Sequence, residues 1–360
     1  MGLHILVVGG GIAGLATALA LRRAGHKVQV FEESQLEYEN TVGSVVHLGP
    51  KSNDLLRSWG YDGPKARGVL VRDIDEFDTD GSLREKPENT QPQGWMYYER
   101  SSLHKSLWNA AVSPTGPGQP VEISLGTRVE AATEAAQITL NDGTTVQGDV
   151  VIGADGLHST VRKSVFKSEN INGTARVTVH FSVPTSHSAP SSSSSSVIRR
   201  FHDQPERYEK WLVDNLQLNV YRVEPERLLF DCTIAIHGHA HITGSYIKQE
   251  ILQALESGHP EFTRLISAVE PSDIHFWTQP SLHRVDEWIF KHLVLVGDAA
   301  HPFFPYELPG TSQALNDAAA LAAELSLDVS VDEVEERLRS WEGPRKDRVR
   351  VIQQSERGLH

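Results

Sequence analysis

Three glycines near the N-terminus constrain this chain more than any other feature. An apolar, β-branched run over 4–8 leads into Gly9-x-Gly11-x-x-Gly14. An alanine-rich stretch with helical spacing follows over 12–23, and a second apolar run over 27–31 ends at Glu32. Strand, glycine turn, helix and strand in that order make a βαβ unit. In such a turn the first glycine permits a tight bend and the second lets backbone approach a pyrophosphate. The third allows close helix–strand packing, and the helix N-terminus offers positive potential to phosphates. Glu32 stands where a ribose-binding acid belongs, and the alternation Val28, Val30, Glu32 favours it over Glu33. A generic glycine turn is the plainer alternative, and the fingerprint leaves NAD and FAD undecided.

The same segment needs to be separated from a targeting sequence. Residues 5–21 are apolar enough for a signal peptide, but glycines interrupt them and no basic stretch precedes them. Arg22, Arg23 and His26 close the run. It is also too short and glycine-broken to span a bilayer. The sequon Asn172-Gly-Thr174 matters only in a secreted chain. Cys232 is the single cysteine, so an internal disulfide is excluded, and Cys/His metal spacing is absent. Cys232 is expected in the core, no metal is expected, and the chain fits a reducing compartment, the cytoplasm. A net charge of −13 argues against a phosphate-backbone partner, so no nucleic acid is expected. With 360 residues, 39% of them hydrophobic, there is material for one large core or two smaller ones.

Further along, strands are expected over 43–48 and 69–77, and a β-hairpin around Thr79-Asp80-Gly81-Ser82. A helix over 101–112 has Ser101 as its expected N-cap. More strands follow over 121–139, and a fully apolar strand over 146–152 ends at Gly153. Residues 176–236 are mostly strand-like, interrupted by the serine run 188–196, which is expected to be a mobile loop. Helices are expected over 247–255, 261–269, 313–325 and 331–354, with a strand over 293–296. Nucleotide-binding pieces thus sit at the start, middle and end. The expected fold is α/β, with a discontinuous Rossmann-like domain formed by 1–72, 98–169 and 282–330. A mostly β-sheet substrate domain, 73–97 and 170–281, is inserted, and 331–360 form a C-terminal helical segment.

Two further motifs follow apolar strands. Gly153-Ala-Asp155-Gly156-Leu-His-Ser159-Thr-Val-Arg162 resembles the Asp-Gly motif of class A flavoprotein monooxygenases, the group of para-hydroxybenzoate and salicylate hydroxylases. Gly297-Asp298-Ala-Ala-His301-Pro302 is similar to that family's Gly-Asp motif, and 305–318 resemble its flavin-facing loop and helix. Arg100, in Glu-Arg-Ser-Ser-Leu-His, matches the arginine placed beside the flavin. The resemblance implies an FAD-binding domain of the GR2 type, with Asp298 accepting a hydrogen bond from a ribityl hydroxyl. Helix N–H groups beginning at Gly310 would face the flavin pyrimidine, and prolines including Pro305 would stiffen the loop. Ala13, Val45 and Thr311 complete the implied FAD set with Gly9, Gly11, Gly14, Glu32, Asp155 and Arg100. A helix or turn cap is the plainer role for Asp298. The chain departs from salicylate hydroxylase-like relatives at Glu307-Leu308-Pro309-Gly310-Thr311-Ser312, where they read close to Leu-Ala-Gln-Gly-Ala-Asn.

The implied reaction has NAD(P)H reduce FAD, oxygen add at flavin C4a, and one oxygen atom pass to an aromatic or other electron-rich small molecule. With one dinucleotide turn in the chain, NAD(P)H is expected to bind transiently. A base near the substrate ring helps phenols react as phenolates. His47 and Tyr221 are the candidates, each with a core role as its alternative. Arg199 and Arg200 are expected to be solvated rather than to anchor an anion, and His301 to pack against its loop. The serine run and loop chemistry fit fungal secondary metabolism better than bacterial catabolism. An FAD oxidase or dehydrogenase without oxygen insertion, or an inactive flavin-binding scaffold, are the alternatives. Relatives often continue past the region matching 342–354, whereas this chain stops at His360.

Overall fold

The computed structural model of the chain describes residues 2–35, 44–61, 68–84, 93–166, 171–185, 197–204, 206–213, 216–236, 242–256, 258–282, 285–303 and 309–357. Pro305 and the serine run 188–196 lie outside the described residues. β1 (His4–Val8) enters the glycine turn, α1 (Ile12–Arg23) follows, and β2 (Lys27–Phe31) returns beside β1. Next come β3 (Val45–Leu48), α2 (Pro50–Ser58), β4 (Val69–Leu70), β5 (Asp73–Phe77), β6 (Met96–Glu99) and α3 (Arg100–Val112). The short strands β7 (Glu122–Ser124), β8 (Val129–Ala132), β9 (Gln137–Leu140) and β10 (Thr145–Gln147) lead to β11 (Val150–Gly153) and α4 (Thr160–Val165). The strand-rich middle holds β12 (Ile171–Pro184), α5 (Val197–Asp203), β13 (Arg207–Val213), β14 (Leu216–Glu224) and β15 (Arg227–Ala235). It continues through α6 (Gly244–Ala254), α7 (Pro260–Ser267) and β16 (His275–Leu282). The chain then closes with β17 (Ile289–Phe290), β18 (Leu293–Leu295), α8 (Pro309–Glu324) and α9 (Val334–Arg357).

The first sheet has the order β17-β18-β11-β1-β2-β7. β18, β11, β1, β2 and β7 run parallel, and only the edge strand β17 is antiparallel. β1 and β11 are apolar along nearly their whole length because helices cover a parallel sheet on both faces. Their carboxyl ends therefore lie side by side, so Gly9, Ala154-Asp155, Gly297-Asp298 and Glu32 emerge at one rim, where open α/β sheets bind ligands.

The second sheet has the order β16-β12-β15-β14-β13-β5 and is antiparallel except for the β13–β5 pair. Its apolar face packs on α5, α6 and α7 as a separate core containing Phe181, Trp211, Phe230 and Phe262. Cys232 lies in that core, as its composition suggests. The small sheet β3-β6-β4 meets the other face through Tyr97, Tyr208, Tyr221, Leu229 and Val71.

Several local expectations change. Residues 197–203 form α5 rather than strand, because Val197 and Phe201, one helical turn apart, are both buried in the second core. α3 starts at Arg100 with Glu99 at its N-cap, so Ser101 lies inside the first turn. The turn at Asp78–Ser82 forms, and among the described residues its arms share only the Phe77–Leu83 bridge. Arg200 is not solvated: its guanidinium donates to both oxygens of fully buried Glu209, at 2.7 and 2.9 Å. Bidentate geometry and the Trp211 indole N–H at 3.1 Å satisfy that carboxylate.

Candidate cofactor and active site

At the rim of the first sheet lies a cleft of about 450 Å³, lined by the glycine turn, Glu32, Arg100, His104 and Asp155. Gly9 has φ +100° and donates its N–H to Phe31 O at 2.9 Å. A Cβ on Gly9 would sit 2.6 Å from Ala154 O, and one on Gly14 only 1.9 Å from Gly9 O. Both glycines are thus demanded by the protein's own backbone. Gly11 is different. Its backbone is extended (φ −70°, ψ −177°), it caps α1 without a side-chain acceptor, and a Cβ there would meet nothing within 4 Å. Open ground before an uncapped helix N-terminus suits the phosphates of a dinucleotide. Glu32 is held at the same rim by the N–H groups of Gly10 (2.6 Å) and Ser34 (2.8 Å), one on each oxygen. Each oxygen keeps a lone pair for a ribose hydroxyl.

The other motifs lock onto this turn. Asp155 accepts from Ser159 Oγ at 2.5 Å and from the N–H groups of Thr160 and Val161 at 2.7 and 3.0 Å. Its carboxylate therefore builds the start of α4 while lining the cleft, and burial pushes its pKa up against those bonds. Gly297, at φ +58°, leaves room for Ala13, whose Cβ lies 2.7 Å from where a Cβ of residue 297 would stand. Arg162 Nη1 donates to Ala299 O at 2.8 Å, tying the second motif to the third. Arg100 donates its N–H to Ser44 O at 2.8 Å. Asp298 is exposed, within electrostatic reach of Arg100 and His301. His104, one helical turn beyond Arg100, donates Nε2–H to Gly10 O at 2.7 Å and fastens α3 to the glycine turn. His104 was not among the expected site residues, although its i, i+4 spacing from Arg100 is the signal that marks it.

A family model described as an FAD binding domain matches residues 3–356. The chain belongs to the class A FAD-dependent monooxygenases. FAD is its cofactor. It is 27% identical to hispidin-3-hydroxylase of Neonothopanus nambi, over 97% of this chain and 86% of that protein. It is 29% identical to 3-amino-4-hydroxybenzoate 2-monooxygenase of Streptomyces cremeus, over 99% of this chain and 86% of the relative. The crystal structure of CtdE with FAD and a substrate shares the fold, with a TM-score of 0.82, 20% identity and coverage of 98% and 87% of the two chains.

In this monooxygenase the third motif rests on a buried carboxylate that the sequence reading did not single out. Asp317 on α8 accepts from Gly297 N at 3.0 Å, His301 Nε2 at 2.6 Å and Arg345 Nε at 2.8 Å. Burial alone would raise its pKa, but His301, Arg345 and the Gly297 N–H outweigh burial and hold it below the usual range. His301 therefore has a defined partner as well as an edge contact with Phe303 at 5.7 Å. Gly310 and Thr311 open α8, as expected, and Gly310 has room for a side chain, since a Cβ would meet Phe303 at an ordinary 3.5 Å. Among the described residues no His, Cys, Asp or Glu cluster is arranged for a metal, and no helix is long and apolar enough to cross a membrane.

The two catalytic candidates meet. His47 on β3 and Tyr221 on β14 are 4% and 1% exposed, with His47 Nε2 3.0 Å from Tyr221 Oη. Burial lowers His47 to about 4, so its ring is neutral at physiological pH. Tyr208 stacks on Tyr221 at 4.9 Å and 7°, and burial raises both phenols. Val45 lies on β3 as well, packed against the same cluster.

Proposed function

We propose that this FAD-dependent monooxygenase consumes NAD(P)H and inserts one atom of O2 into a phenolic or otherwise electron-rich aromatic small molecule bound beside Tyr221 and His47. The balance is substrate, O2, NAD(P)H and a proton giving hydroxylated substrate, water and NAD(P)+. The buried His47–Tyr221 contact at 3.0 Å carries the reading, because it puts a neutral base and a phenol in one desolvated place. Gly11 and the α1 N-terminus would hold the pyrophosphate, Glu32 a ribose, Asp298 the ribityl chain, and the α8 N-terminus the flavin ring. Arg100, Asp155, Ala13, Val45 and Thr311 belong to the same set. Bound FAD supplies two-electron reduction by NAD(P)H and the activation of O2. Neutral His47 and Tyr221 Oη then orient the phenolic hydroxyl by hydrogen bonding, and the tyrosine cluster excludes water. With one glycine fingerprint in the chain, NAD(P)H visits rather than resides. We read residues 1–72, 98–169 and 282–330 as the cofactor domain and 73–97 with 170–281 as the substrate domain. A role in fungal secondary metabolism, in the cytoplasm, completes the proposal.

The test is NAD(P)H oxidation by FAD-loaded protein across a panel of phenols, with ¹⁸O2 incorporation read by mass spectrometry. The expected result is substrate-stimulated NAD(P)H consumption with one labelled oxygen per product. H47F and Y221F should each lower kcat at least about tenfold, at unchanged FAD affinity. Substrate oxidation without NAD(P)H would instead make the protein an oxidase, and unchanged kcat in either variant would remove that residue from the chemistry.

A further inference from the structure

The face of the second sheet that meets β3, β4 and β6 carries polar groups with no role so far. Along β15, Leu228, Phe230, Cys232 and Ile234 enter the apolar core, so Leu229, Asp231 and Thr233 point to the opposite face. Leu229 packs there with Tyr208 and Tyr221, which fixes the side. The register sets Asp231 beside Asn219 on β14 and His180 on β12. Asp231 is 6% and Thr233 7% exposed, yet Asp231 Oδ1 and Thr233 Oγ1 have no hydrogen-bond partner among the described residues. His180 Nδ1 stands 3.7 Å from Asp231 Oδ1, too far for a hydrogen bond. Asn219, opposite Asp231, turns its Oδ1 to Tyr208 Oη at 2.8 Å and Gln217 Nε2 at 3.3 Å.

Native proteins leave few buried polar atoms unpaired, and each one left calls for a partner that water, an ion or a ligand can supply. Here two stand two residues apart on one strand, beside the pair that positions the substrate. Burial alone pushes Asp231 up to about 8, and no lysine or arginine offsets it. On this face Lys210 of β13 pairs with Glu76, and Arg227 of β15 itself pairs with Glu99 and Glu224. An arriving carboxylate would be stripped of water without a lysine or arginine beside Asp231 to meet it, whereas a hydroxyl or N–H would satisfy both free oxygens.

We propose that Asp231 and Thr233 recognise the hydroxyl or N–H groups of a neutral aromatic substrate, so that the enzyme selects such rings over aromatic carboxylates. The proposal rests on the substrate lying beside Tyr221. Calorimetric titration of FAD-loaded protein with orcinol and with 3,5-dihydroxybenzoate, which differ by methyl against carboxylate, tests it. Orcinol should bind at least about tenfold more tightly. D231L should lose at least about tenfold in orcinol affinity with FAD still bound, and T233V about threefold, while D231N, which can still donate and accept, stays within about threefold of wild type. Because a buried carboxyl with an unbonded oxygen is removed, D231L should also raise Tm, and this readout needs no turnover. Equal or tighter binding of the carboxylate, no binding of orcinol to wild type, unchanged affinity in D231L or a lower Tm each overturns the proposal. Failure of the monooxygenase reading would look different: protein that does not retain FAD or does not consume NAD(P)H.

Discussion

Gly11 and Gly14 look interchangeable as letters, but one faces backbone and the other faces space. A methyl at 14 would lie 1.9 Å from Gly9 O, so the turn or α1 must move. G14A should therefore cost the apoprotein about 2–4 kcal/mol, seen as a lower Tm before any cofactor is added. G11A should leave the apoprotein Tm within about 2 °C, since its φ and ψ suit alanine and nothing lies within 4 Å. It should nonetheless weaken FAD binding at least about tenfold in a fluorescence titration. Equal effects on both quantities in both variants would mean that Gly11 does not face the pyrophosphate. Glu32 was legible from strand alternation because side-chain period is a local property. His104 and Asp317 were not, because the groups they bind lie on other segments.

At the scale of elements, α9 matters more than its charged sequence suggests. Arg345 reaches Asp317 and Gln313 on α8, Trp341 Nε1 donates to Asp317 O at 3.2 Å, and Glu342 accepts from Trp288 N at 2.7 Å. The helix thereby clamps α8, and through Asp317 it holds Gly297, next to the expected ribityl anchor Asp298. Removing one partner of a buried ion pair strands the other. R345M should cost about 3–5 kcal/mol of stability in denaturant unfolding and weaken FAD retention. Unchanged FAD affinity in a folded R345M would show that Asp317 holds the motif without α9. The helix itself was readable from its spacing, but its target was not. Likewise α5 went unread because two buried residues a turn apart, Val197 and Phe201, decide it by packing rather than by propensity.

For the whole molecule, buried titratable groups set opposing responses to pH. His47 titrates near 4 when folded and near 6.5 when unfolded, so the stability from its neutral form is present above 6.5 and lost as pH falls toward 4, roughly 3 kcal/mol in all. His26 acts in the same direction, since burial lowers its pKa while Nδ1 accepts from Leu3 N and Nε2 donates to Leu325 O. Asp231 has the opposite sign. Its folded pKa of about 8 exceeds the unfolded 3.8, so its contribution is full below 3.8 and fades as pH rises toward 8. In a pH series of Tm, H47F should gain on wild type between pH 6.5 and 4, and D231L should gain between pH 4 and 8. Parallel curves would show that neither group is buried as described. The chain's own letters determined the glycine turn, the parallel strands around it, the acid at the end of β2 and the three motifs at strand ends. These follow from backbone sterics and burial period, which act between neighbours along the chain. Only the tertiary structure decided that His47 meets Tyr221 across 174 positions, that Asp317 gathers Gly297, His301 and Arg345, and that Asp231 Oδ1 is left without a hydrogen bond among the described residues. Such pairings depend on how whole elements are placed against one another, and no local spacing encodes that placement.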